Sequence, residues 1–482
     1  MSRNPSHMTH TFSEVPGITI PRSSFNRSHS VKTTFDSGYL YPIFVDEALP
    51  GDTFKLDLTA FARMATPIYP VMDNLFMDVF FFSCPNRLLW DNWTKFMGEQ
   101  TDPGDSIDYL IPTLRTTASS PVPEGHLLDY MGLPTQVNDA LVVNSLPARL
   151  YNRVYNEWFR DQNLQDSIPE VTGDGPDYPG STTVLNNYTL RRRGKRHDYF
   201  TSALPWPQKG DSVDLPLGTT APILSDGNAM QYQVASGPSA GANMGQLTSS
   251  GTNALFSTSQ GGAAEYTSGL IADLSDATAA TINQLRQAFQ VQKLLERDAR
   301  GGTRYVELVK SHFGVTTPSA GWRSEYLGGG TRMVNISPIA QTSETGTSPQ
   351  GNLAAMGTVS MDGIGFTKSF TEHCTLIGLI NVRADLTYQQ GLNRLWSRQT
   401  RYDFYWPSLA NIGEQAVLNQ ELVFTGTSVD SEAWAYQERY AEYRYKPSII
   451  TGKFRSNATG TLDAWHLAQD FVGLPPLNAA FI

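Results

Sequence analysis

Between residues 53 and 60, Phe54, Leu56, Leu58 and Ala60 alternate with Thr53, Lys55, Asp57 and Thr59. A period of two predicts a strand with one face on a core and the other in water. The turn cluster Pro50-Gly51-Asp52 sets its start. Residues 75–84, LFMDVFFFSC, are almost unbrokenly apolar, which predicts a strand covered on both faces. Similar runs at 374–382, 421–425 and 449–454 predict further strands. Strands near both ends, with irregular sequence between, predict an all-β-dominated sandwich interrupted by long insertions.

Helical spacing appears within those insertions. Leu89, Trp93 and Phe96 fall on one helix face and stop at Gly98; Leu150, Val154 and Trp158 share another. Ile282, Leu285, Phe289 and Leu295 precede Gly301, and Val306, Val309 and Phe313 precede Gly314. Apolar stripes closed by glycine predict helices that serve as packing elements.

Two segments depart from both patterns. Residues 1–36 carry Arg3, Arg22, Arg27 and Lys32, three prolines and many Ser, Asn and Thr. They bury too little apolar surface to fold alone and are expected to be an extended basic arm that either stays mobile or docks on a neighbour, its cations being the candidate contacts. Residues 211–280 hold six acids, no Lys or Arg, and mostly Gly, Ser, Ala, Thr and Asn. That composition predicts an outward-facing insertion of the single domain 37–482, the alternative being a linker between two domains.

Composition agrees with a β-rich reading. Only 17% of the 482 residues are charged, against 40 Gly, 29 Pro, 21 Tyr and 23 Phe. The net charge of −10 makes the whole chain a poor polyanion binder, so contact with nucleic acid needs a local basic segment or a basic partner. Cys84 and Cys374 lie too far apart for a disulfide framework or the paired spacing of a zinc site. The first twenty residues lack a basic-then-apolar leader and no run reaches 18 apolar residues, so a soluble, non-exported chain is expected.

The search for catalytic chemistry yields little. There is no P-loop, H-E-x-x-H or dinucleotide fingerprint. Asp362-Gly363-Ile364-Gly365 reads as a turn. His373 and Cys374 would point to opposite faces of a strand and cannot form a thiol dyad unaided. Asp46 with Glu47, or Glu438 with Glu442, could be a hydrolase's acid and base or simply solvated carboxylates. No catalytic residue, metal ligand or cofactor is expected.

The strongest local signal is Arg191, Arg192, Arg193, Lys195 and Arg196, followed by Tyr199, Phe200 and Trp206. Five cations so close together need anions. Unpaired nucleic acid, with bases stacked on those aromatics, would supply them. So would the acidic surface of a neighbouring subunit.

Longer stretches carry a family resemblance. KTTFDSGYL at 32–40, VDEALPGDTF at 45–54, MDNLFMD at 72–78, PNRL at 85–88 and NWTKFMGEQ at 92–100 resemble the major capsid protein of Microviridae, in its gokushovirus branch. So do RHDYFTSALPWPQKG at 196–210 and the stretch from QAFQ at 287 to RDARGGTRY at 297–305. The resemblance covers most of the chain and fades in 211–280. It implies an eight-stranded viral jelly roll with long insertions, sixty copies of which close into an icosahedral shell around circular single-stranded DNA. It also implies an internal scaffolding protein, a DNA pilot protein and a small basic DNA-binding protein as partners. An insertion, for which 211–280 is the candidate, would protrude at the three-fold axes to meet a host-cell receptor. The chain would be part of the virion, assembled in the bacterial host cytoplasm, and no enzyme. A carbohydrate-binding or hydrolysing phage β-protein is the alternative from another class.

Overall fold

The computed structural model describes residues 21–116, 121–137, 141–177, 187–211, 213, 282–318, 321–344, 346, 350–410 and 412–482, together with strands at 223–225, 230–233, 244–250, 253–257 and 270–272. The chain divides after Asp36. In the first unit, residues 21–36 have no regular secondary structure and are exposed almost throughout.

Among the described residues, seven strands make the frame of the second unit, with shorter pairs outside it: β1 (Tyr41–Ala48), β2 (Thr53–Arg63), β3 (Leu75–Pro85), β4 (Glu325–Met333), β5 (Asn335–Ala340), β6 (Leu353–Ser369) and β7 (Cys374–Ala384). They form two antiparallel sheets, β1-β7-β3-β4 and β5-β6-β2. The two longest apolar runs pair along their full length, from Cys374↔Pro85 to Ala384↔Leu75. β2 shows the predicted alternation, with Phe54, Leu56, Leu58 and Ala60 half-buried between exposed polar neighbours.

β3 is covered on both faces because it lies between two layers. On one side the Phe81 ring meets Phe44 and, from the facing sheet, Phe366 at 5.6 Å. On the other, Phe80 and Phe82 meet Phe159 and Trp158 of the helical insertion. The sheets approach closely where a side chain on Gly328 of β4 would lie 2.6 Å from the Gly365 carbonyl of β6. Only glycine fits there.

The insertion after β3 contains α1 (Asn86–Leu89), α2 (Trp93–Phe96) and α3 (Leu146–Val154). One predicted helix is thus two, because Trp90 takes an extended φ of −148° between them and buries its ring completely. The face shared by Leu150 and Val154 continues to Trp158 through a wider π-turn at Tyr155–Phe159. Arg149 of α3 and Asp177 pair inside this layer at 2.5 Å, with Tyr188 also donating to Asp177 at 2.8 Å.

α4 (Ile282–Gly301) and α5 (Tyr305–Phe313) stand where glycine-closed stripes predict them, and Gly314 ends α5 with φ +70°. They depart from the expectation of packing elements, because Ile282, Phe289 and Phe313 are largely exposed in the single chain.

Three other readings are corrected. Residues 421–425 are not a strand: Asn419–Leu422 is a helical turn in which the Glu421 carboxylate accepts from Leu418 N at 3.0 Å. Residues 449–454 are not one strand: Gly452–Phe454 is a tight helical turn entered at Gly452 with φ +67°. Asp362-Gly363-Ile364-Gly365 is not a turn but a bulge within β6, with Gly363 at φ +66°. Most of 211–280 lies outside the described residues; its described parts are short strands, 223–225 pairing with 270–272 and 244–250 with both 230–233 and 253–257.

Truncating Phe81 removes the ring that joins both sheets. Phe81→Ala is expected to cost about 3–5 kcal/mol, read as a lower urea midpoint for the isolated subunit.

Candidate nucleic-acid or subunit interface

The Arg191–Arg196 run is pinned by its backbone before any side chain is considered. Leu40 N donates to Arg191 O and Arg193 N to Gly38 O, laying the run beside the approach to β1. Arg191 N donates to the buried Tyr151 hydroxyl of α3 at 2.9 Å, and Lys195 N to Ile482 O at 3.0 Å.

Each cation then finds its own surroundings. Arg192 is exposed and lies over the Tyr39 ring at 5.0 Å. Arg191 donates to Asn187 O. Arg193 lies over Phe80 and reaches Asp78 at 2.5 Å. Lys195 donates to Gln469 and lies over Phe481. Arg196 pairs with Asp385 at 2.9 Å and lies over Phe76 at 4.1 Å.

Asp78 is the hub. It is the acid inside the apolar β3 run, and Arg193, Arg383 of β7 and the Thr331 hydroxyl of β4 all converge on it. Burial alone would raise its carboxyl, but the Thr331 hydrogen bond and the two guanidiniums outweigh that and hold it below the ordinary carboxylate range. Two half-buried guanidiniums sharing one carboxylate leave a surplus cation. Burial, then repulsion from Arg193, pushes Arg383 down to about 10.

Beside this hub opens a cleft of about 730 Å³. Arg160, Arg193, Lys195, Arg196, Arg300, Arg304 and Arg383 line it, against Asp78, Asp161 and Glu307. Phe80, Phe82, Trp158, Phe159 and Tyr326 supply ring surface. Excess guanidinium beside aromatic faces is chemistry that accepts an anion with a flat, stackable part.

Of the expected basic residues, the structure brings Arg193, Lys195 and Arg196 to the cleft and leaves Arg192 on the surface. Tyr199 and Phe200 are turned inward rather than presented for stacking on bases. Both are buried, and Tyr199 donates to Glu421 at 3.0 Å. Arg22, Arg27 and Lys32 are exposed in the arm, and Arg3 lies outside the described residues. Sequence reading missed Asp78, Arg160, Arg300, Arg304 and Arg383, which are scattered along the chain. A single aspartate within LFMDVFFFSC was the available signal, since a charge there must be paired.

The enzyme-like pairs resolve otherwise. Burial pushes the Cys374 thiol up to about 12, which leaves no thiolate for a dyad with His373. Glu438 and Glu442 are held separately by Arg444 and Arg398. Among the described residues no group of three or more His, Cys, Asp or Glu could hold a metal, and no helix is long and apolar enough to cross a membrane.

Residues 13–482 match the family model described as capsid protein (F protein). The chain belongs to that capsid family. It is 50% identical over 489 residues to the capsid protein VP1 of Bdellovibrio phage phiMH2K, covering 99% of this chain and 90% of the relative. It is 43% identical to the VP1 of Chlamydia phage 1, covering 99% and 92%, and 38% identical to that of Spiroplasma virus 4, covering 98% and 89%. The Microviridae resemblance, in the gokushovirus branch, therefore holds along the capsid chain, and its relatives are structural proteins rather than enzymes.

Asp78→Asn should strand Arg193 and Arg383 without their counter-charge. The expected loss is about 3–5 kcal/mol at pH 7 by urea unfolding. Because the folded carboxyl titrates below its unfolded value, this difference is present above the ordinary carboxylate range. It should shrink as pH falls through the folded value.

Proposed function

We propose that this capsid protein closes as sixty copies into an icosahedral virion shell around circular single-stranded DNA. The match across residues 13–482 carries the proposal. The pairing of β1 with β7, far apart in sequence, supports an eight-stranded jelly roll as the shell fold, since Greek-key winding returns a late strand beside the first. The seven strands of the two frame sheets support the same reading.

The cleft supports a DNA-facing role for the basic run: seven cations line it against three acids of the lining and two more, Asp385 and Glu414, that pair with Arg196 and Arg300, beside aromatic surface. The subunit-contact reading keeps one favourable observation, the exposure of Arg192. The net charge of −10 argues that a small basic DNA-binding protein shares the task of neutralising the genome. An internal scaffolding protein, a DNA pilot protein and a host-cell receptor complete the expected partners, with 211–280 as the receptor-facing protrusion and 1–36 as an arm between subunits. Assembly would take place in the bacterial host cytoplasm.

Cryo-electron microscopy of the full chain, co-expressed with the neighbouring phage genes, tests this reading. Closed particles with three-fold knobs are expected; soluble monomers despite the scaffolding partner would overturn it. Removing residues 1–36 should lower particle yield while leaving thermal unfolding of the subunit unchanged. Arg192→Gln with Lys195→Gln should yield particles that retain less DNA and release it at lower salt. Normal DNA content with fewer particles would move the run to a subunit contact.

A further inference from the structure

Two exposed surfaces of the second unit complement each other in charge yet sit where one chain cannot join them. The first is the loop at residues 97–110. It carries Glu99, Asp102, Asp105 and Asp108 with no Lys or Arg, and exposes Met97, Ile107 and Leu110, the last 86% accessible. Asp105 is spent on the loop itself, accepting from the backbone N–H groups of Thr101 and Asp102 at 3.1 and 3.0 Å. Among the described residues no cation pairs with Glu99, Asp102 or Asp108, so a pre-shaped acidic and apolar edge faces water.

The second surface is aromatic and basic. Trp396 is 76% accessible and Tyr402 58%, and Phe404, Tyr405 and Tyr443 are half exposed. Phe404, Tyr405 and Tyr443 are held together rather than scattered: Arg398 lies over Tyr443 at 4.2 Å and over Phe404 at 5.6 Å, and the Tyr405 and Tyr443 rings are 6.2 Å apart. Arg401 and Lys446 are exposed beside them in sequence, and among the described residues no carboxylate pairs with either. Clustered exposed aromatics with arginine are the composition of interface centres, not of solvated surface.

The β3–β7 pair separates the two surfaces. At its Cys374–Pro85 end, α2 packs Trp93 on His373 at 5.5 Å, and Lys95 lies over Tyr109 of the acidic loop. Beyond the other end, at Ala384–Leu75, Tyr388 enters the apolar cluster that contains Ala441, and Arg398 pairs with Glu442 next to it. Eleven residues of strand hold these ends roughly 33 Å apart at about 3.3 Å per residue.

We propose that the acidic loop of one copy docks on the aromatic–basic patch of the next, forming a head-to-tail contact of the assembled shell. This rests on the shell reading and names the surfaces that make it. The occupant is a second copy because the complement of each surface is already present on the same chain. Since the two surfaces differ, the contact is heterologous and propagates from copy to copy until rotation closes it. Opposite charge sets the register, and desolvated ring surface supplies the adhesion.

Charge exchange tests the contact, using the full chain co-expressed with the neighbouring phage genes and particle yield read by sedimentation. The variant Glu99→Lys, Asp102→Lys, Asp108→Lys and the variant Arg401→Glu, Lys446→Glu should each lower yield about tenfold or more, and their combination should recover most of it. Full yield from either variant, or no recovery in the combination, overturns the contact. A reconstruction of the unaltered particle decides independently of any variant's folding: the loop must lie against a neighbour's Tyr402 and Arg401, and density placing it against a scaffolding protein or open solvent overturns the proposal. Failure of the unaltered chain to form particles would count against the shell reading instead.

Discussion

Asp78 is the constraint on which the arrangement depends. A carboxylate in the middle of an apolar strand is tolerable only if fully satisfied. It is satisfied by three elements remote in sequence, through Thr331 of β4, Arg383 of β7 and Arg193 of the basic run. That convergence ties three neighbouring strands to the segment that walls the cleft. The cleft's charge and the sheet's integrity are therefore one problem: the guanidiniums that make it electropositive are ordered by the acid that the sheet requires.

The layers around β3 explain much of the remaining architecture. Three consecutive phenylalanines need apolar cover in both directions, because successive side chains point to opposite faces. The second sheet covers Phe81, and the insertion between β3 and the basic run covers Phe80 and Phe82. The insertion is thus part of the core, with Trp90, Tyr151 and Tyr188 fully enclosed in it.

The central strands were legible because their periodicity is dictated by burial, as the alternation of β2 and the unbroken run of β3 show. The short apolar runs at 421–425 and 449–454 misled, because five or six residues carry too little pattern to outweigh a buried carboxylate that caps a turn or a glycine at positive φ. The basic run announced itself by charge density. Its depth did not, since the acids and arginines around it come from distant segments, and Tyr199 and Phe200 are claimed by the interior. The helix stripes were visible, but their direction was not: Ile282 and Phe289 on α4 turn away from the single chain's core.

The meeting of Gly328 with the Gly365 carbonyl bears on mechanics. With backbone against backbone, the two sheets have no compressible side-chain layer at that point and no room to slide. At that point the sandwich therefore behaves as a stiff tile. When a filled particle is loaded from within or changes diameter, the strain must be taken up at the seams between tiles, which makes the seams, rather than the sandwich, the parts that set how the particle yields.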